Sequence, residues 1–425
     1  MPVSESYNKI VEAFHDSYLI KDEGIIKLLL ATIIANRLPK APVWLMLVAG
    51  SGTGKTEFIM ALEKVRGFTP ISEITANTFI SGMKKNDMET SLLATLNRGD
   101  FMVFKDFTTA LNMQKDVRNI VMAQLREIYD GSITKRFGNG LNITLEPKLG
   151  FIGGVTTAIY TSKRSYAAMG ERFLMYCFKQ PDRREAGMKA LDNAEKDMAA
   201  KRIHLQELIR KYLDEEIKIP KELPHIHKNF KEKLVLLSDI STRASSVVER
   251  SLYGKQEIEY VHDLVGLGRF CHELMSLCNS FAIMNNSDIE DLDKHIIYKL
   301  GMDSIDTNRR LVLLLLTKFS IAATASVATN LNLPTGVVHH WLEDLNALDL
   351  VDRIKGGKAD RWQLKNEYRK ILSEFAEIPM LTDELLNKDR EDEDEPPLAT
   401  LEDLSPEETA ALQGTLGIAG PEDVI

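Results

Sequence analysis

Apolar and polar positions recur along the chain with more than one period, and the changes of period outline its architecture. In the first 40 residues apolar side chains fall at helical spacing, Ile10, Val11 and Phe14, then Ile25, Ile26, Leu29, Leu30 and Ile33, which predicts helices. Pro39 and Pro42 end that segment. The run 43–48, Val-Trp-Leu-Met-Leu-Val, is short and wholly apolar, the pattern of a strand covered on both faces of a parallel sheet. Comparable runs return at 101–104, 150–155 and 173–178 with helix-patterned segments between them, so an α/β sheet is expected.

Beyond Gln180-Pro181 the pattern changes to a charged stretch, 182–218, and then to helical segments reaching Ile305 with no further strand run, which reads as an α-helical lid. Segment 306–372 reads as three helices and a hairpin. The apolar helix around 308–319 and a second over 323–331 precede a third over 337–348, with Pro334 near its start, where proline is tolerated. Strands at 350–354 and 360–364 follow, joined by Lys355-Gly-Gly-Lys358, and the whole is the pattern of a winged helix-turn-helix. The expected division is therefore 1–40, 41–181, 182–305, 306–372 and a tail, 373–425.

Composition adds exclusions. The longest apolar stretches, 28–35 and 311–316, fall well short of the roughly 18 residues of a membrane span, and the first residues lack the basic start and apolar stretch of a secretory signal. Three cysteines, Cys177, Cys271 and Cys278, can neither all pair nor form a four-cysteine zinc site, which points to a reducing, cytoplasmic setting. The pairs His225/His227 and His339/His340 have no further ligands clustered near them in sequence, so no metal beyond magnesium is implied.

Charge is unevenly spread. The net of −9 comes from 53 Lys and Arg against 62 Asp and Glu; from Glu374 onward there are 16 acidic and 2 basic residues, which leaves 51 basic and 46 acidic residues, a net of +5, in 1–373. An acidic tail of disordered composition is thus appended to a mildly basic body. It reads as a solubilising extension, as a cover over basic surfaces, or as a partner peptide ending in Glu422-Asp-Val-Ile425.

The strongest chemical signal is Ala49-Gly50-Ser51-Gly52-Thr53-Gly54-Lys55-Thr56, between the 43–48 strand and a helix-patterned run over 57–65. Its spacing is that of a Walker A loop with alanine at the first glycine position. Glycines let successive N–H groups point at the β-phosphate of ATP, Lys55 would bridge the β- and γ-phosphates, and the Thr56 hydroxyl would ligate Mg2+. Asp106, ending the 101–104 strand, is the candidate acid for magnesium or for the attacking water, with Glu127 as a second candidate. Thr156 and Thr157, at the end of the 150–155 strand, offer hydroxyls that can sense the γ-phosphate or hold that water. Asn139-Gly140 between two alternating runs predicts a hairpin with Lys135 and Arg136 near its tip.

This order of elements resembles the AAA+ ATPases, especially branches with a hairpin before the sensor strand: minichromosome-maintenance helicases, superfamily 3 viral helicases and enhancer-binding transcription activators. More closely, Trp44-Leu-Met-Leu-Val-Ala-Gly-Ser-Gly, Lys105-Asp-Phe-Thr-Thr, Leu125-Arg-Glu-Ile-Tyr-Asp-Gly, Val155-Thr-Thr-Ala and Met169-Gly-Glu-Arg-Phe resemble a group of ATP-binding proteins of bacteriophages and mobile elements, over 42–178. The resemblance implies an AAA+ P-loop core, a homo-oligomeric ring, with six subunits as one option, and sensor 1 at Thr156 or Thr157. It further implies Arg172 as an arginine finger acting on ATP of a neighbouring subunit, the alternative being an arginine that caps a loop. Arg269 and Arg184 are candidates for a sensor 2 arginine from the lid.

The implied activity is an ATP-driven motor on DNA in a bacterial cell, in replication as helicase, initiator or loader. Two alternatives stand beside it, a nucleotide-controlled winged-helix transcription regulator and an ATP-dependent remodeller of protein complexes. In the DNA readings, the third helix of 306–372 enters a groove with Thr335, His339 and His340 near its exposed face, while Arg353, Lys355, Lys358 and Arg361 meet phosphates. Glu343 and Asp344 on the same helix speak for a protein-docking role instead.

Overall fold

A computed structural model describes residues 5–81, 91–138, 140, 142–161, 172–178, 182–251, 256–264, 266–355 and 360–378. Helices α1 (Glu5–Ser17) and α2 (Gly24–Arg37) lead into β1 (Trp44–Val48), α3 (Lys55–Met60), β2 (Phe68–Ile71), β3 (Phe101–Phe104), α4 (Thr108–Leu111) and α5 (Lys115–Asp130). A hairpin, β4 (Ile133–Arg136) and β5 (Asn142–Leu145), then precedes β6 (Gly150–Val155), α6 (Ala158–Thr161) and β7 (Leu174–Cys177). Five strands form one sheet in the order β2-β3-β6-β1-β7, with every neighbouring pair parallel.

The chain is thus α/β around a central parallel sheet. Every residue of β1, β3 and β6 is buried, as an apolar run between two covered faces requires. On one face Trp44, Phe104, Phe107, Phe151 and Phe173 interlock, with Phe104 stacked 4.7 Å from Phe151 and the Trp44 indole N–H donating to the Leu149 carbonyl at 2.9 Å. The edge strand β2 escapes a reading by apolar runs because Phe-Thr-Pro-Ile is only partly buried, and Pro70 is tolerated there because an edge strand has one unpaired side.

The second half begins with α7 (Arg183–Ala194) and α8 (Met198–Arg210), which runs into a π-helical turn, Lys211–Glu216, followed by α9 (Lys228–Ser245). An antiparallel hairpin, β8 (Val248–Arg250) and β9 (Ile258–Val261), interrupts the helices before α10 (Leu267–Asn285) and α11 (Asp291–Asp303). That hairpin corrects the expectation of helix alone over 182–305. Its strands are three and four residues long, carry charged side chains and are largely half-exposed, so they leave no apolar run.

Then come α12 (Thr307–Leu316), β10 (Ala322–Ala323), α13 (Thr324–Asn330), α14 (Thr335–Ala347), β11 (Val351–Ile354), β12 (Arg361–Leu364) and α15 (Asn366–Ala376). Two strands are expected in this segment from sequence; β10 adds a third, giving an antiparallel sheet β10-β12-β11 around the fully buried Trp362. The folded chain also runs past the expected boundary at 373, because Phe375 is buried and Glu374 pairs with Lys233 at 2.6 Å. The described residues, 5–378, belong to one compact unit. Its core includes α2, which packs against α10 and buries the charged Lys27 by pairing it with Asp293 at 2.6 Å. The remainder of the acidic tail, 379–425, lies outside the described residues. No helix among the described residues is long and apolar enough to cross a membrane.

Candidate functional site

All five strands point the same way, so their carboxyl ends share one edge, the usual place for ligands in open α/β sheets. There residues 49–54 curl from β1 into α3. Gly52 and Gly54 hold φ of +75° and +86°, with open space where a Cβ would stand, so the left-handed backbone and not crowding calls for glycine. The loop wraps Lys55, whose buried ammonium donates to the carbonyls of Ala49 (2.8 Å) and Gly50 (2.5 Å), and the Thr53 hydroxyl also donates to Gly50 (2.8 Å). Burial pulls the Lys55 pKa down, while the Asp106 carboxylate opposes that shift.

Strand β6 lies between β1 and β3 and gathers the other candidates. Ala49 N–H donates to Val155 (3.2 Å) and Phe107 N–H to Gly154 (2.7 Å). A Cβ at Gly154 would stand 2.7 Å from the Lys105 carbonyl, so glycine is what lets the Lys105-Asp106 turn approach β6. Asp106 accepts the Thr108 N–H at 2.9 Å, and the Thr108 hydroxyl meets Thr156 through its N–H (3.2 Å) and its hydroxyl (3.5 Å). The edge therefore brings together Lys55, Thr156 and the exposed Thr56, Asp106 and Thr157. Glu127 is not among them. It sits one turn from the end of α5, beside Asp130, about 20 Å along a 16-residue helix from that helix's start after β3.

One wall of the cleft at this loop was not legible in the motifs. A cavity of about 370 Å³ is lined by residues 51–54, Ser17, Tyr18, Leu19 and Phe58, and by Arg183, Ala186, Lys189, Ala190 and Asn193 of α7. The sequence signal was present: 183, 186, 190 and 193 share one helical face of small and polar residues. Arg183, rather than the sensor candidate Arg184, lines the cavity. Lys189 donates to the His15 carbonyl (3.2 Å) and Asn193 to that of Ser17 (2.7 Å), while Glu57 of α3 accepts from Tyr18 (2.9 Å) and Arg202 (2.5 Å), so α1, α3, α7 and α8 are tied around the cleft.

Arg172 lies elsewhere. It precedes β7 and so sits at the amino edge of the sheet, a strand length from the glycine-rich loop of its own chain. Buried there, its guanidinium donates to both Asp130 oxygens (3.0 and 2.7 Å) and stands 5.6 Å from the Tyr129 ring centroid. Arg269 joins it, 5.7 Å from the same ring and 3.6 Å from Asp130, so this arginine faces Arg172 and not the cleft. The Tyr129 hydroxyl donates to the buried Glu273 at 2.7 Å. Desolvation lowers the Arg172 pKa, and the bond to Asp130 works against it.

The expected DNA contacts divide. Lys135 is folded back on the loop before β3, where its ammonium donates to Ala76 (3.2 Å), Asn77 (3.1 Å) and Ile80 (3.3 Å), which corrects its placement as a displayed hairpin cation; Arg136 beside it is exposed. Arg353 is committed to Asp360 and Glu343 and stacks 5.3 Å from the Trp362 ring. His339 pairs with Glu343 at 3.4 Å, and the His340 carbonyl accepts from Arg250. Thr335, Lys355 and Arg361 are exposed, and Lys358 lies outside the described residues. Glu343 and Asp344 do not line a displayed face of α14. Arg250 of β8 bonds both (3.2 Å to Glu343; 3.0 and 2.7 Å to Asp344), and Arg309 bonds Asp344 at 2.8 Å, so these acids anchor the helix.

Among the described residues no group of three or more His, Cys, Asp or Glu is placed to hold a metal ion. No protein-family model matches the chain and no curated protein matches it, so the functional reading rests on the geometry of this edge.

Proposed function

We propose that the chain is an ATP-hydrolysing, oligomeric AAA+ motor that acts on DNA, of phage or mobile-element type, working in replication as a helicase, initiator or loader. The observation that carries this reading is the convergence at one sheet edge of the glycine-rich loop around Lys55, the Asp106 carboxylate and the Thr156 hydroxyl, with β6 as the spacer. Thr56 and Asp106 are hard oxygen donors, and two protein ligands suit magnesium, which keeps several waters and completes its shell with phosphate. When bound, magnesium supplies charge neutralisation at the phosphates. Lys55 would exchange the carbonyls of Ala49 and Gly50 for phosphate oxygens, Thr56 and Asp106 would hold the metal, and Thr156 and Thr157 would orient water. Arg183 and Lys189 add positive charge from the lid side.

Arg172 cannot serve the cleft of its own chain from the amino edge, so a role as arginine finger falls on a neighbour's phosphate; its buried guanidinium would have to leave Asp130 to reach it, and turnover would then depend on assembly. The segment 307–376, read as a winged helix, offers Thr335, Lys355 and Arg361 to DNA. One observation favours a second reading: Lys135, the inner basic residue of the hairpin, is spent on the loop 76–80, which fits a regulator that reads an operator while ATP sets its oligomeric state.

The deciding experiment is ATPase rate against protein concentration, with and without single- and double-stranded DNA at low salt. A specific activity that rises with concentration and again with DNA is expected. Activity independent of concentration removes the trans role of Arg172. Absence of a DNA response, together with a footprint at one promoter and no unwinding of forked DNA, replaces the motor with the regulator.

A further inference from the structure

A buried knot of charge lies beside the cleft and outside the groups assigned to it. Asp303, the last residue of α11, is 1% exposed. One carboxylate oxygen accepts from Lys299 (2.8 Å) and from the Cys177 N–H (2.7 Å), and the other accepts from Arg310 (2.6 Å). Its main-chain carbonyl accepts the Tyr160 hydroxyl at 2.5 Å, and that hydroxyl also lies 3.0 Å from the Cys177 sulfur.

Three of its four partners come from places that matter. Cys177 ends β7 and pairs with Val48, the last residue of β1 before the glycine-rich loop. Tyr160 follows β6 and lies four residues beyond Thr156. Arg310 belongs to α12, the first helix of the segment 307–376. Strand β7 therefore ends on Asp303, the helix that follows β6 reaches it through Tyr160, and the first of the C-terminal helices is tied to it through Arg310.

Stability alone does not account for this arrangement. A buried ion cluster is commonly no better than well-packed apolar side chains of the same volume, because desolvation offsets the attraction, whereas its geometry is far more restrictive. A close-packed surrounding passes on displacement instead of absorbing it. We infer that Asp303 is a positioning residue that couples occupancy of the cleft to the conformation of segment 307–376. The inference rests on the nucleotide reading given above. Phosphate settling in the loop shifts the ends of β6 and β7, Tyr160 and Cys177 carry that shift to Asp303, and Arg310 carries it into α12.

Hydrogen exchange of the full-length protein, with and without ATPγS and magnesium, tests it without requiring DNA. In the wild type, nucleotide should change amide exchange in 307–354 by at least ~5-fold, the lower end of ordinary coupling factors. In Tyr160→Phe and Asp303→Asn, ATPγS affinity measured by calorimetry should stay within about threefold while that response disappears, the reciprocal signature of lost coupling. A merely structural role would raise exchange in the segment with or without nucleotide. If Asp303→Asn fails to fold, Tyr160→Phe, which keeps the ring and removes one hydroxyl, still decides. A full response in Tyr160→Phe, or nucleotide binding with no response in the wild type, overturns the coupling and leaves the nucleotide reading standing. Failure of the wild type to bind ATPγS overturns both.

Discussion

The two edges of the central sheet hold their polar groups by different means. At the carboxyl edge Lys55 is held by main-chain carbonyls five and six residues away, and Asp106 by a main-chain N–H two residues away. At the amino edge Arg172 is held by the side chain of Asp130, 42 positions away, and Tyr129 by that of Glu273, 144 positions away. A loop carbonyl that loses its lysine turns to water at little cost. The buried Tyr129 and Glu273 side chains have no such outlet, although Asp130 itself is partly exposed. The first edge is therefore built for exchange of partners and the second for permanence, and substitutions should separate the two as loss of activity without loss of fold against loss of both.

Lys55→Ala should show the largest effect. Removing one preorganised cationic donor at a phosphate should lower ATP turnover by at least ~100-fold. The melting temperature should move by less than about 2 °C, since each kcal/mol moves Tm by roughly 2–4 °C in chains of about 150–250 residues and by less in longer ones, and the loop loses little of that. A large fall in Tm would show that the carboxyl edge is structural after all.

Arg172→Ala comes next and should behave oppositely. It removes one of the two guanidinium groups beside the Tyr129 ring and leaves Asp130 with Arg269 at 3.6 Å, for a loss of about 2–3 kcal/mol by chemical denaturation. That is below the ~3–5 kcal/mol of a fully buried pair because Asp130 is 46% exposed. Activity should fall as well. If the residue works on a neighbouring chain, mixing Lys55→Ala with Arg172→Ala protein should restore measurable turnover, because some interfaces then combine an intact loop with an intact arginine. Inactive mixtures would reduce Arg172 to its structural bonds.

Gly154→Ala probes the closeness of β3 and β6 that the carboxyl edge depends on. The added methyl meets the Lys105 carbonyl at 2.7 Å, and relieving that contact pushes the Asp106 turn outward. Overpacking of this kind should cost about 1–2 kcal/mol and reduce turnover by a larger factor than ATP affinity. Alanine at Gly187, where nothing lies within 4 Å, should leave both unchanged or slightly raise stability, because alanine is the better helix former.

What was legible in the sequence follows the same division. The loop 49–56, the apolar strands at β1, β3 and β6 and the third helix at α14 are local patterns, fixed by backbone dihedrals or by burial on both faces, and they stand close to where the spacing puts them. Edge strand β2, hairpin β8–β9 and two-residue β10 are partly exposed and have no apolar run, so only tertiary pairing defines them. Among charged residues the sequence gives identity but not partner. Lys135 reads the same whether it is displayed or bonded to Ala76 and Ile80, and Glu343 and Asp344 read as an acidic face until Arg250 and Arg309 are found against them. Arg183 escaped notice because its importance comes from the cavity it lines and not from any motif.

The smallest effect expected is also the one that carries the distinction between exposed and committed cations into segment 307–376. Arg353 and Arg361 sit on the neighbouring strands β11 and β12, yet Arg353 is tied to Asp360, Glu343 and the Trp362 ring while Arg361 is exposed. A guanidinium already neutralised by two carboxylates releases little counterion when it approaches a phosphate, whereas a free one contributes close to a full unit to the salt dependence of binding. Arg361→Gln should therefore lower duplex affinity a few-fold and reduce the slope of log K against log salt by about 1, with no change in stability. Arg353→Gln should leave that slope in place and cost about 0.2–1 kcal/mol of stability, the range of a partly exposed pair. Titrating each variant with one fluorescent duplex at four salt concentrations separates them. Equal losses of slope would mean that Arg353 gives up its carboxylates on binding, and the ion pairs seen in the free chain would then no longer distinguish committed cations from available ones.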